Sequence, residues 1–301
     1  MYDLIIIGGG PAGLTAAIYA IRKRIDVLLI SKDLGGATNY RLALPWVEDY
    51  QVIKGLEVVN KFKSELEYLK FAHVMESVEH VERQTGGFTV HTKGGAKYEA
   101  KALIVATGTR TRRMGVPGEK DFIMRGLCFS AQSYAPLFID KQTAVVGDGE
   151  LALRSAAELA TVAKHVYLIG PNSTALESPL GAKLSHAKNV TIRESYQVVE
   201  VQGNGFADRL VIKSPEGKNE TIAYDGMFVE LGLVPNSQMV SGLVDMDPQG
   251  RIRVDCLAVT SVPGIFAAGD VTTNYAEQVL IAVGEGAKAA LSAYDYLLPT
   301  L

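Results

Sequence analysis

The chain begins with a run, YDLIIIGGGPAGLTAAIYAIRKRIDVLLIS, that leaves little choice of fold. An apolar strand, Leu4–Ile7, stops at a glycine turn, an alanine-rich segment free of breakers follows to Arg22, and a second apolar strand ends at Ile30. Strand, turn, helix and strand in this order make a parallel βαβ unit. Its glycines divide the work: Gly8 makes the turn, Gly10 lets the backbone approach a pyrophosphate, and Gly13 brings helix onto strand. The phosphates would sit at the positive end of the helix.

The pattern returns. TAVVGDGELALRSAAELATVAKHVYLIG, from Thr143, places Gly147, Gly149 and Ala152 at the same spacing and ends in a strand at Val166–Ile169. Between the copies, FTVHTKGGAKYEAKALIVATGTR alternates as a hairpin does and closes on an apolar strand running into a turn. TSVPGIFAAGDV gives a further strand ahead of the long helical pattern EQVLIAVGEGAKAALSAYDYL. The expected fold is α/β, with two Rossmann-like three-layer nucleotide-binding domains, the second inserted into the first. Residues 1–115 and 245–301 would form the first and 116–244 the second, with glycine- and proline-bearing crossings near Gly115–Glu119 and Pro235–Asn236.

At 301 residues and 48% hydrophobic content the chain can bury two cores without staples. A net charge of −3 with interspersed signs argues against nucleic acid and anionic membranes as partners. The N-terminus enters a strand at once and no long apolar run follows, so the expected location is cytoplasmic. Cys128 and Cys256 are far apart and read as two unpaired thiols, and no residue spacing suggests a metal site.

Taken together, GGGPAG, the ATG at Ala106–Gly108, the second glycine turn, GLVPN at Gly232–Asn236 and TSVPGIFAAGD at Thr260–Asp270 resemble the low-molecular-weight thioredoxin reductase family over essentially the whole chain. The last helix is similar to that of the alkyl hydroperoxide reductase flavoprotein. The resemblance implies an FAD domain made of both chain ends, an inserted NADPH domain and a homodimer. It places the FAD pyrophosphate on Gly8, Gly10, Pro11, Ala12 and Gly13, and the ribityl chain at Gly269 and Asp270. The flavin pyrimidine would lie at the backbone of Gln278 and Val279, and Ser31, Gly36, Ala37, Val78, Ala106, Thr107 and Gly108 would complete the cofactor wall. Gly147, Gly149, Glu150, Leu151 and Ala152 would form the second nucleotide site.

The family pattern breaks in three places. Its redox CxxC falls on Ser130, Ala131, Gln132 and Ser133, and the acid that follows the second cysteine on Tyr134. Hydroxyls form no disulfide, so the thiolate relay is lost. Cys128, in an apolar context, is either a buried small side chain or a displaced redox thiol acting alone or with Cys256. After the second strand of the inserted domain, Gly170–Asn172 replace the His-Arg-Arg that grips the 2′-phosphate of NADPH. The second turn then binds NAD(P)H weakly, binds a second flavin or another nucleotide, or serves packing alone. Around the flavin, residues Gly35 to Asp49 depart from the family's GGQ, and Trp46 and Tyr40 would either cover the flavin or pack in a core.

The expected function is that of a thioredoxin reductase-like FAD oxidoreductase without the dithiol, passing electrons from an unidentified protein or nucleotide donor through FAD to an external acceptor, with an electron-donor or acceptor protein among the expected partners. The alternatives are a ferredoxin- or NAD(P)H-linked flavin reductase of the same fold and a non-catalytic flavin- or nucleotide-binding regulator.

Overall fold

A computed structural model of the chain describes residues 1–47, 56–69 and 72–301. It divides into two units: Met1–Asn39, Ile53–Arg110 and Val234–Leu301 form the first, and Tyr40–Val52 with Thr111–Leu233 the second. The crossings fall at residues 110 and 234, earlier than the expected 115 and 245, and the loop after Asn39 groups with the second unit. The two crossing strands, Thr109–Thr111 and Leu233–Pro235, pair with each other as a short ribbon.

The first unit is built on a seven-stranded sheet. His73–Val74, Val27–Ile30, Tyr2–Ile7 and Lys97–Val105 lie side by side in that order, all parallel. The long strand Lys97–Val105 is shared along its other edge. Its first half pairs antiparallel with Gly87–Thr92, which continues to Val78–Gln84, and its last three residues pair parallel with Ile265–Ala267. Strands covered on both faces read as unbroken apolar runs. Leu4 and Ile6 accordingly join a core with the helix Pro11–Arg22 and the last helix, Val279–Leu297, while Ile5 and Ile7 join Val90, Leu103 and Ile252 on the opposite face.

The second unit repeats the plan with five parallel strands in the order Val190–Arg193, His165–Ile169, Gln142–Val146, Gly226–Val229 and Leu127–Cys128. A three-stranded antiparallel sheet, Gln197–Asn204, Phe206–Lys213 and Asn219–Ala223, completes it. In both units a glycine turn joins the end of the first parallel strand of the βαβ repeat to a helix, Pro11–Arg22 in one and Glu150–Leu159 in the other. Among the described residues no helix is long and apolar enough to cross a membrane.

Candidate functional site

The first glycine turn is shaped by what each missing side chain would strike. Gly8 has φ +109°, and a Cβ there would run into Ala106 O. On Gly13 it would overlap Gly8 O, so this glycine sets how closely the helix approaches the turn. Gly10 is different. A Cβ on it would meet nothing within 4 Å, and the residue caps the helix from extended backbone with no side-chain hydrogen bond. Pro11 follows at the first helical position and no acid stands in the first turn, so the positive helix end is open to an anion.

A second open helix end lies in the same unit. Gln278 caps Val279–Leu297 with no side-chain bond and no acid in the first turn. The two helices meet at Gly286, where a Cβ would overlap Ala12 O, and Gly269 brings its own Cβ position to 3.1 Å from Ala12 Cβ. Ala12 is therefore a packing residue in its side chain; only its backbone is free to serve a ligand. Beside it, Asp270 Oδ1 is buried with no hydrogen-bond partner, and so is Asn274 Nδ2. Burial first, then the charge of Glu277, push the Asp270 carboxyl up to about 6, with Asn274 pulling it partway back and Glu285 adding to the rise. An orphaned buried carboxylate oxygen requires a donor. A polyhydroxyl chain supplies one, and the open cradle at Gly10 suits a pyrophosphate, so these residues fit FAD.

Other expected wall residues turn out to brace the turn itself. Ser31 is buried, and its hydroxyl accepts from Gly9 N (2.8 Å) while donating to Asp33 O (2.6 Å). Its single donor is committed to protein, so its part is to hold the loop rather than a ribose. Val78 pairs with Thr92 at the edge of the hairpin and packs against the core beneath. Gly36 lies with its Cβ position 3.0 Å from Gly10 Cα, beside exposed Ala37. At the other wall, Ala106 N donates to Ile7 O (2.8 Å), Gly108 has φ +61°, and Thr107 Oγ1 donates to Asn236 O. Asn236 answers from its Nδ2 to Thr107 O (3.0 Å) and from its backbone N to Gly108 O (2.9 Å). Glu285, on the last helix, accepts from Gly269 N at 2.7 Å. The sequence alone singles out neither Glu285 nor a clamping role for Asn236, because their partners are remote in the chain.

In the second unit Gly147 repeats the packing role: a Cβ there would overlap Glu230 O and lie 2.7 Å from Ala152 Cβ. Gly149, like Gly10, faces open space. It opens on a cleft of about 710 Å³ lined by Gly149, Glu150, Leu153, Asn172, Thr174 and Ser178, among others. That lining contains no Lys or Arg. Glu150 is exposed and holds the nearest guanidinium, Arg154, at 2.7 Å, and Leu151 is exposed. Asn172 caps the following short helix, its side chain accepting from Ala175 N at 2.8 Å.

The sequence matches the pyridine nucleotide-disulphide oxidoreductase family over residues 2–286. The chain belongs to this family. It is 37% identical to a component of the alkyl hydroperoxide reductase of Pseudomonas aeruginosa over 99% of its own length and 59% of that protein's, and 33% identical to a Bacillus subtilis NADH dehydrogenase with the same coverages. It thus spans about three-fifths of the curated relatives it matches. The crystal structure of thioredoxin reductase from Streptococcus pyogenes superposes with a TM-score of 0.87 at 33% identity, covering 99% of both chains. Pyridine nucleotide-disulphide oxidoreductases are FAD enzymes that work with pyridine nucleotides, and FAD is the cofactor the first unit is built for.

The segment Ser130 to Tyr134 holds no cysteine. Ser130 caps the helical turn Ala131–Tyr134, accepting from Ser133 N at 3.3 Å, and the two serine hydroxyls are 3.1 Å apart and hydrogen-bonded. Ala131 N donates to the buried Glu230 carboxylate (3.1 Å), which also accepts from Ser155 Oγ (2.8 Å). Cys128, two residues earlier, is fully buried with its thiol directed at Met227 O (3.5 Å). Burial, and then the nearby Glu230 charge, push that thiol well above its usual range. It is the buried small side chain of the two readings. Cys256 is exposed and free. Trp46 packs edge-on against Phe138 and donates to Leu137 O (3.1 Å) within the second unit, so core packing is its role, whereas Tyr40 is exposed. Asp49, at the end of the departing loop, lies outside the described residues.

Proposed function

We propose that this chain is a thioredoxin reductase-like FAD oxidoreductase in which electrons pass between a donor and an external acceptor with no protein dithiol between them. FAD would supply hydride and electron transfer. The chain's own part is to hold the pyrophosphate at Gly8, Gly10, Pro11 and Gly13, to anchor the ribityl chain at Asp270, and to set the open end of the last helix, at Gln278 and Val279, where it favours negative charge. The observation that carries the reading is the hydroxyl pair of Ser130 and Ser133. A relay needs two sulfurs that can form and break a bond; at these two positions Ser130 is a helix cap and Ser133 its hydroxyl partner within the same turn, and Cys128 is buried and held as a thiol.

At the second turn, Gly149 and its cleft would accept a pyrophosphate-bearing nucleotide, but with Glu150 at the rim and no cation in the lining the affinity would be low. Two copies would associate as a homodimer, a reading supported by exposed Leu280, Leu291 and Leu298 on and just after the last helix. Anaerobic mixing of the FAD-loaded protein with NADH or NADPH, then with oxygen, quinone or disulfide acceptors, tests the function. The flavin should cycle with non-disulfide acceptors while aromatic-disulfide or thioredoxin reduction stays below about 1 per second. Disulfide turnover above that rate would show a working thiol relay, and failure of every donor and acceptor would favour the regulator.

A further inference from the structure

Linear spacing gives no metal site, yet the hairpin of the first unit assembles three ligand-type side chains. Between Val78–Gln84 and Gly87–Thr92, His80 stands directly opposite His91, and Glu82 lies two residues along on the same face. Val81 and Val90 take the other face, in the core. The two imidazoles stack with centroids 4.1 Å apart and planes 14° off parallel. Both bring Nε2 close to one carboxylate: His80 Nε2 is 3.3 Å from Glu82 Oε1 and hydrogen-bonded to it, and His91 Nε2 is 3.2 Å from Oε2. One ligand atom from each residue lies within 4.8 Å of the other two.

His91 decides the matter. Its Nε2 is buried 3.2 Å from Glu82 Oε2, near enough to hold that carboxyl below its usual range, yet without the geometry of a full hydrogen bond. A buried nitrogen without a partner is costly, and a cation between nitrogen and carboxylate removes the cost. We propose that His80, Glu82 and His91 bind a divalent transition-metal ion of the zinc class. Four-coordinate zinc with bonds of about 2.0–2.2 Å keeps its ligand atoms roughly 3.3–3.5 Å apart, close to the two nitrogen–oxygen separations already present, and binding would turn the half-exposed His80 ring out of the stack so that both in-plane lone pairs meet the ion. Two imidazoles with one carboxylate select such an ion over magnesium or calcium, which prefer all-oxygen shells. A cleft of about 470 Å³, lined by Glu82, Thr89, His91, Lys97 and Glu99 among others, leaves room for water as the remaining ligand. Lys97 and Glu99 face His91 and Thr89 from the next strand and offset one another, leaving Glu82 as the net charge toward the ion. The site shares no residue with the flavin cradle.

The test is calorimetric titration of the FAD-loaded protein with Zn²⁺, with Mg²⁺ as control, alongside the visible spectrum of the Co²⁺ form. One equivalent of zinc should bind, magnesium should not compete, and cobalt should show tetrahedral bands. His80→Ala, Glu82→Gln and His91→Ala should each weaken zinc at least tenfold and abolish the zinc-dependent rise in Tm, with flavin absorbance unchanged. His80 and Glu82 are half-exposed, at 45% and 53% in the side chain, so these two variants keep the fold. Zinc binding that survives these substitutions, that disappears instead in Cys256→Ser, or that is absent from the wild type would overturn the proposal.

Discussion

Asp270 holds a buried carboxylate oxygen without a full hydrogen-bond partner, and burial first, then the Glu277 charge, raises its proton affinity. In the apoprotein the group takes up its proton at about 6, above the 3.8 of an unperturbed carboxyl, so the folded apoprotein binds more protons than the unfolded chain between those values. Asp270 therefore adds stability as pH falls from 6 toward 3.8 and removes it as pH rises. Hydroxyl donors from a bound ribityl chain favour the charged form, so FAD should bind with release of a proton below pH 6. FAD affinity of the apoprotein should be about tenfold weaker at pH 5 than at pH 7, and Asp270→Asn should flatten the profile. An affinity independent of pH in the wild type would remove Asp270 from the site. At this scale the motif residue is legible in the sequence and its surroundings are not. Ser31 reads as a wall residue because it ends the second strand, whereas its hydroxyl turns inward to Gly9 N. No local signal in the sequence records the direction of a hydroxyl.

Helices and strands are the most legible elements, since apolar periodicity and glycine punctuation act locally. The first helix ends at Arg22, as its pattern indicates, and the last begins at Val279. The pattern in GEGAKAA does not say which glycine is a contact and which is only a weak helix former. The structure separates them. A Cβ on Gly284 meets nothing within 4 Å, while one on Gly286 overlaps the backbone of Ala12 in the first helix. Gly284→Ala should raise stability by about 0.5–1 kcal/mol through helix propensity. Gly286→Ala has the same propensity gain but forces two helices apart, at a cost of about 1–3 kcal/mol, so its net effect should be a loss, with weaker FAD retention because Ala12 opens the pyrophosphate turn. Thermal melts of the two variants check the signs, and a stabilised Gly286→Ala would mean that the helices do not pack this closely. The histidine pair is illegible for a related reason: His80 and His91 become neighbours only through strand register, which the sequence specifies across the hairpin and not along it.

Across the whole molecule, duplication of the βαβ plan is plain in the sequence, and glycine and proline mark the expected crossings, whereas the compact units divide after Arg110 and after Leu233. The two copies differ in charge, and that difference bears on selectivity. The first leaves its helix end free of acids; the second sets Glu150 at the helix start, ties Arg154 to it, and lines its cleft without a cation. A nucleotide 2′-phosphate therefore gains nothing there. NADH and NADPH should bind with similar, low affinity. Asn172 is a poor place to add charge, since it caps a helix, and Pro171 is buried, but Thr174 is exposed and lines the cleft. Thr174→Arg should strengthen NADPH alone, by about 1.5–3 kcal/mol where the guanidinium meets the phosphate in good geometry. Calorimetric titration of wild type and variant with both nucleotides measures this directly. A wild type that already prefers NADPH tenfold would show that a cation outside this lining reaches the 2′-phosphate, and would return the second unit to the ordinary NADPH-binding role of its family.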